Sequence, residues 1–422
     1  MSMKFETGSS VVTYFYSKWN ANTYRRTEPF KEVLGTCFAG STGGAPVVTG
    51  DGFLIGLTRL CDAAFEWDGR MLTVTGPEDA VFATYAEDEE ARWRAYHQAL
   101  GFTFPAAVFG TVPEYCSWVE QIWVWSTKKL ATIQEALTMD LVDEYLDAID
   151  RYGWPRGRFT VDEGWCPRDG VGGFGDWVPR SDMDMGVLAE RIASRGHVPG
   201  LWMAPVLIEK GSNAAQQNPT LVGDPVIMEA ECEWSPYNYL APSAASQELI
   251  HDLFRKAFNW GYRKFKLDIF YGSKMDMCEI LRQCRVAADD LPEAVELEGH
   301  IPDPFCAQHM NVIRINDLLI NDDYPAWRNV FDAHVQVCSR SAPGMMLNYD
   351  HAGGNCEDVD EASFIEHMHR IQAQSAPGYP TVSLLPHHLG DRAVEEVTRF
   401  LSGYEGRRGR TFCGDVISNK CI

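Results

Sequence analysis

Ser246–Phe270 reads "SQELIHDLFRKAFNWGYRKFKLDIF". Up to Gly261 its apolar residues recur at helical spacing, and the glycine ends the run. Lys264–Phe270, "KFKLDIF", then alternates charge and bulk as a strand does. Asp268 stands where an apolar strand should continue, between Leu267 and Ile269. A carboxylate among buried neighbours is costly unless it is paired or used. A helix that feeds a strand in this way is one step of an α/β pattern, and the pattern extends in both directions.

Upstream, "EYCSWV" (Glu114–Val119) is a strand and "IQEALTMDLVDEYLDAIDRYG" a helix, with Leu137, Leu141, Val142, Leu146 and Ile149 on one face. "GRFTVDEGW" (Gly157–Trp165) is a strand, "DMGVLAERIASRG" a helix and "VPGLWMAPVL" (Val198–Leu207) a strand. Downstream, "MCEILRQCRVAA" is a helix, followed by strands "AVELEGH" (Ala294–His300) and "NVIRIN" (Asn311–Asn316). "WRNVFDAHVQVCSR" is a helix, "GMMLNYD" (Gly344–Asp350) a strand and "EASFIEHMHRIQAQSA" a helix. "TVSLLP" (Thr381–Pro386) is the last strand and "RAVEEVTRFLSGYE" the last helix. With "KFKLDIF" this makes eight strands, most followed by a helix, which predicts a parallel sheet closed as a (β/α)8 TIM barrel.

The barrel accounts for residues 111–405. Residues 1–110 have another texture and predict a small N-terminal β-rich domain; 406–422 form a C-terminal tail. "VVTYFY" (Val11–Tyr16) and "GFLIGLTRL" (Gly52–Leu60) are strand-like. In "FEWDGRMLTV" Asp68-Gly69 sits between two strand runs and predicts a hairpin. "EDEEARWRAYHQALGF" reads as a helix with acids at its start.

Hydrophobic residues make up 45% and charged residues 23%, a globular composition. The formal charge of -22 disfavours nucleic acid and anionic membranes as partners. No apolar run approaches the ~18 residues of a membrane span, and "MSMKFETGSS" lacks the features of a secretory signal. The twelve cysteines form no C-x-x-C pair and read as buried thiols of a reducing compartment, so the expected location is cytoplasmic. The histidines lack H-x-x-H or H-E-x-x-H spacing, so no metal is expected. Nucleotide-binding glycine motifs and a G-x-S-x-G elbow are also absent. No cofactor is expected.

In such barrels chemistry sits at the C-terminal ends of the strands. There the second strand offers Asp162, Glu163 and Trp165, and the third Trp202. The fourth offers Lys266 and Asp268, and the fifth Glu298 and His300. The sixth offers Arg314, with Asp317, Asp322 and Asp323 in its loop, and the seventh Asn348 and Asp350. Carboxylates that hold hydroxyls, with indoles such as Trp118, Trp177 and Trp202 to stack on ring C–H surfaces, suit a sugar. Cleavage of a glycosidic bond needs two carboxyl groups. Plainer readings exist for each. Strand-end acids also cap helices, Lys266 and Asp268 can form a simple ion pair, and tryptophans fill cores.

Several of these stretches are similar to the clan D α-glycosidases, especially the α-galactosidase and raffinose synthase relatives of glycoside hydrolase family 36. "RFTVDEGWCP" resembles that family's "IDDGWQ" strand, and "GDWVP…GLWMAP" its "GDW…GLW..P" spacing. "EYCSW" resembles "GWCSW", "KFKLDIF" the "KLD" or "KWD" strand, and "MMLNYDH" resembles "LNDPD". "EGHIPDPFCAQHMNVIRINDLLINDDYPAW" is similar to the segment that runs from "GCGxP" to "R-I-x-x-D-x-x-P-x-W". The likeness covers roughly 112–402. It implies a retaining α-glycosidase with Asp268 as nucleophile. Asp322 is implied as acid/base, because Asp322, Pro325 and Trp327 reproduce D-x-x-P-x-W. "NDLLI" looks like an insertion there, so Asp323 and Asp317 compete for that role. Asp162 and Glu163 match the acidic pair that grips outer hydroxyls, usually two aspartates. His300 stands where the family often has cysteine. Trp202, Lys266, Arg314 and Asp350 match pocket positions. Lys266 is expected to hold Asp268 ionised, and retention predicts carboxyls about 5–5.5 Å apart. The rival readings are a raffinose-synthase-like transglycosylase, an α-glucosidase-like enzyme, a metal-dependent hydrolase, and a non-catalytic carbohydrate-binding barrel. The family's C-terminal β domain is expected to be absent here, and a homo-oligomeric partner at the bare barrel rim is the matching expectation.

Overall fold

The computed structural model describes residues 1–7, 11–16, 32–33, 38–39, 44–226, 237–270, 273–315, 317–320 and 327–403. Eight strands form a closed barrel in chain order. They are β1 (Glu114–Cys116), β2 (Arg158–Val161), β3 (Val198–Met203), β4 (Lys264–Leu267), β5 (Glu296–Gly299), β6 (Val312–Arg314), β7 (Met346–His351) and β8 (Gly378–Val382). Every pairing is parallel, including the closure of β8 on β1 through Glu114 and Thr381. The eight runs read from the sequence are these eight strands.

The helices that follow begin where short polar side chains can accept from free backbone N–H groups. Thr138, Asp184, Ser243 and Asp360 cap Met139–Tyr152, Met185–Ser194, Ala244–Trp260 and Glu361–Gln372 in this way. Lys274–Asp289, Trp327–Ser341 and Asp391–Ser402 follow β4, β6 and β8. The exception is β5, which is followed only by the short helix Pro304–Ala307.

Three details differ from the sequence reading. Leu137 precedes its helix, because Thr138 caps at that point; it is still fully buried. β8 begins before "TVSLLP", since Pro380 inside it obscures the strand pattern. Gly378 opens that strand where a Cβ would come within 2.4 Å of the Tyr349 ring. Between β3 and its helix lies an extra sheet of Leu207–Ile208, Asn238–Leu240 and Val222–Pro225.

The N-terminal strands form two antiparallel sheets, one of four strands and one of five. Phe65, Leu72 and Val74 of the first share a core with Val48, Leu54 and Ile55 of the second. The Asp68-Gly69 hairpin is present: Ala64–Trp67 pairs with Met71–Thr75, and Gly69 has φ +97°. The Asp68 carboxylate accepts from the Arg70 and Met71 N–H groups. Phe305 and Val337 of the barrel half join the same core. Among the described residues no helix is long and apolar enough to cross a membrane.

Strand alternation stacks charge up the barrel axis. Lys264, Lys266 and Asp268 share one side of the β4 chain; Glu296, Glu298 and His300 do so on β5, and Arg158, Thr160 and Asp162 on β2. Low in the barrel, Arg158 donates to Glu296 at 3.0 Å. Above it, Lys264 is bound to Glu114 and lies 3.1 Å from Glu298. Higher again, Lys266 holds Asp162 at 2.7 Å. Gly200 leaves Lys264 its passage: a Cβ there would lie 2.5 Å from Thr160 Oγ1 and 3.2 Å from the lysine stem.

Candidate active site

Asp268 is the first residue beyond β4, and its N–H donates to the Met203 carbonyl at 2.9 Å. This tie keeps the end of β4 against β3 one residue past the regular strand. Ile269 then turns into the left-handed region with φ +66°, unfavourable for a β-branched residue. Such strain costs about 1–3 kcal/mol and gathers where a side chain must be aimed. Here it brings the Ile269 N–H to Asp268 Oδ1 at 2.9 Å.

The same Oδ1 lies 2.8 Å from His300 Nδ1 and 3.3 Å from an Arg314 nitrogen. Oδ2 accepts from Trp202 Nε1 at 2.9 Å. Burial pushes the Asp268 carboxyl up, but His300, Arg314 and Lys266 outweigh it and hold it well below the ordinary carboxylate range. His300 Nδ1 is also 3.0 Å from Arg314. A proton on Nδ1 makes it a donor to Asp268; without one it accepts from Arg314.

Lys266 helps to lower the Asp268 carboxyl, as the sequence expectation has it, but it ranks behind His300 and Arg314. Its ammonium is bound to Asp162, and it reaches Asp268 only as a more distant charge, after His300 and Arg314. Burial opposes charge on Lys266, yet Asp162 and its neighbours raise it well above the usual lysine range. Cys116 Sγ donates to the same Asp162 oxygen at 3.1 Å, and burial keeps that thiol protonated. The Asp162 N–H donates to Ser117 Oγ.

Glu163 does not repeat Asp162. It is bound to Arg168, and Gln134 donates to the same oxygen at 2.9 Å. Glu298 lies one layer below His300, inside the barrel. Lys264, Asn348 and Tyr379 hold it at 3.1, 2.9 and 2.9 Å. Burial raises this carboxyl, but Lys264 and the Asn348 bond pull it down to about 2. Trp177 is 2% exposed and stacks on Phe174 at 4.9 Å and on Trp165 at 5.9 Å. It therefore offers packing where a sugar-stacking face was expected. Trp118 is half-buried, and its indole N–H donates to Asn355 at 2.7 Å.

On the far side, Arg314 gathers carboxylates. One nitrogen binds both Asp317 and Asp350, the latter at 2.9 Å. Asp350 has φ +62°, at the irregular register of β7. Burial raises its carboxyl despite Arg314, and its Oδ2 has no partner among the described residues. His351, which the sequence reading passed over, lies 3.7 Å from Asp350 and is pushed down to about 3 by burial and by Lys266. Asp317, Asp350 and His351 can bring three ligand atoms within 4.8 Å of one another. Arg314 already supplies a cation to both carboxylates there. Asp322 and Asp323 lie outside the described residues.

Lys264, Glu114 and Cys116 were also passed over. The signal for Lys264 was present, since Lys264, Lys266 and Asp268 are spaced by two on one strand.

No protein-family model matches this chain. Among solved structures it is similar to an α-galactosidase from Thermus thermophilus, seen in complex with p-nitrophenyl α-D-galactopyranoside. There the TM-score is 0.67 at 20% identity, over 95% of this chain and 88% of that one. It is also similar to a GH36 α-galactosidase from Geobacillus stearothermophilus, with a TM-score of 0.63 at 13% identity, over 97% of this chain and 62% of the other. The galactosidase domain of an α-galactosidase–sucrose kinase gives 0.64 at 14% identity. At these identities the likeness is one of fold.

Proposed function

We propose that this protein hydrolyses an α-linked glycoside, α-galactoside-like, with retention of anomeric configuration. One observation carries the reading: a carboxylate at the C-terminal rim of β4, kept ionised inside the barrel by His300 and Arg314. In this mechanism Asp268 Oδ2 attacks the anomeric carbon. Among the described residues Oδ2 has one donor, Trp202, while Oδ1 has three nitrogen neighbours. The acid/base is assigned to Asp322 on the D-x-x-P-x-W match. Asp317, bound to Arg314, is assigned to binding. Asp162, held by Lys266 and Cys116, faces substrate hydroxyls. The acid protonates the departing oxygen, a glycosyl-enzyme forms, and the resulting carboxylate activates water.

The test is a panel of aryl α-glycosides with the first-formed anomer followed by proton NMR. Turnover with the α-anomer appearing first is expected. No turnover of any α-glycoside sinks the enzyme reading, and an initial β-anomer sinks retention. The acid is tested by leaving group. Asp322→Ala should lose on the order of 10²–10⁴-fold on poor leaving groups and far less on activated aryl ones. If Asp317→Ala gives that pattern instead, the two roles exchange.

The pH profile follows from Asp268. Its carboxyl is lowered, so it stays ionised until pH falls through that depressed value. The acid limb of kcat/KM is therefore expected below the ordinary carboxylate range. His300→Gln removes the largest lowering influence, so the limb should move to higher pH. An unmoved limb detaches His300 from the nucleophile.

A further inference from the structure

The two oxygens of Asp268 carry unequal loads. Oδ1 has the Ile269 N–H at 2.9 Å, His300 at 2.8 Å and Arg314 at 3.3 Å. Among the described residues Oδ2 has the Trp202 indole N–H alone, at 2.9 Å. Strand pairing sets this contact. Trp202 lies opposite Lys266 of β4, so Asp268, two residues on, is its diagonal neighbour. The Asp268 N–H bonds the carbonyl of Met203, the next residue of β3, and the Trp165 indole N–H holds the Trp202 carbonyl at 2.9 Å. Trp202 is 2% exposed, with the Phe174 ring tilted against it at 6.1 Å. An indole buried and fixed in this way offers its N–H to the site and almost no open face for stacking on a sugar ring.

We propose that Trp202 is a catalytic residue of the second displacement: its N–H restrains Oδ2 as a nucleophile and assists it as a leaving group. The inference rests on the retaining reading above. In the first step an Oδ2 lone pair forms the bond to the anomeric carbon. The bond from that carbon to the departing oxygen breaks, and the oxygen keeps the pair and takes the acid's proton. Negative charge leaves Oδ2, and an ester oxygen is a poor acceptor, so the indole bond weakens. In the second step water attacks the same carbon and gives its proton to the base. The carbon–Oδ2 bond breaks and its pair returns to Oδ2, where the indole bond re-forms. The groups on Oδ1 stay in use throughout, because Oδ1 becomes the ester carbonyl. Trp202 therefore favours breakdown of the glycosyl-enzyme over its formation. A hydrogen bond to a charged oxygen changes such a step roughly 10- to 100-fold.

Two full-length variants are compared with wild type. One is Trp202→Phe. In the other benzothienylalanine replaces Trp202, which keeps the bicycle and puts sulfur where the N–H was. The substrate is the dinitrophenyl α-glycoside of the sugar that wild type turns over fastest, whose departure needs little help from the acid. Both variants should lose roughly 10- to 100-fold in kcat while kcat/KM holds or rises, so that KM falls with kcat. A dinitrophenolate burst should precede the steady state, and acid quenching should trap the glycosyl adduct on the Asp268 peptide. Unchanged kcat in the benzothienyl variant overturns the proposal. So does a kcat/KM that falls in step with kcat and leaves no adduct, which makes Trp202 packing alone. Wild type that turns over no α-glycoside overturns the retaining reading and this inference together. Normal wild-type turnover with unchanged partitioning in the variants overturns this inference alone.

Discussion

Asp268→Asn is expected to fold normally and to lose on the order of 10⁴-fold or more in kcat on aryl α-glycosides. The amide matches the carboxylate in shape, so the space beside Trp202 stays filled. Its chemistry does not match. Oδ1 faces the Ile269 N–H, His300 and Arg314, and Oδ2 faces the Trp202 N–H. An NH₂ group on either side meets a donor. The cheaper orientation turns it toward the single Trp202 N–H, a local cost of about 1–3 kcal/mol. That orientation also removes the oxygen assigned to attack. Asp268→Gly goes further by leaving a space lined by Arg314 and His300, both suited to an anion. Azide added to that variant should restore turnover and yield the β-glycosyl azide, because one displacement inverts where two retain. Equal turnover by wild type and Asp268→Asn removes Asp268 from the role. No turnover by wild type, together with sugar binding that Asp268→Asn leaves unchanged, favours a carbohydrate-binding barrel.

The barrel was legible because each strand is short and bounded, most are followed by helical spacing, and charge recurs every second residue on β4 and β5. Physical alternation gave less where two neighbours were read together. Asp162 and Glu163 are consecutive, and consecutive residues at a strand end point to opposite sides. The first therefore meets Lys266 while the second meets Arg168 and Gln134. Glu298 and His300 share a face, so both were placed at the rim. A layer of height separates them, and Lys264 claims the lower one. Trp177 was ambiguous in kind, since an indole suits both a subsite and a core. Only the stacking on Phe174 and Trp165 resolves it toward packing. The sheet inserted after β3 has strands too short to stand out from a loop. Pro380 hid the start of β8 for the reason that prolines are rare in paired strands.

Lys264→Met is expected to cost about 3–5 kcal/mol of stability in chemical denaturation, since it strands buried charge. Lys264 is 0% exposed. Among the described residues it is the one cation bound directly to both Glu114 and Glu298, which also share the Asn348 amide at 2.9 Å each. Burial and Glu298 already raise the Glu114 carboxyl, with Lys264 as the largest opposing influence. Methionine fills the volume but leaves two carboxylates facing each other in a dry interior. The folded variant should then take up a proton that the unfolded chain releases more readily. With more protons bound in the folded state, stability rises as pH falls. The deficit relative to wild type should therefore shrink between pH 7 and pH 5. Adding Glu298→Gln to Lys264→Met removes one of the stranded charges and should recover part of the loss at pH 7. If the deficit is independent of pH and Glu298→Gln deepens it, the cost lies in packing around Gly200 and Thr160, and the polar stack beneath Asp268 is not held by its charges.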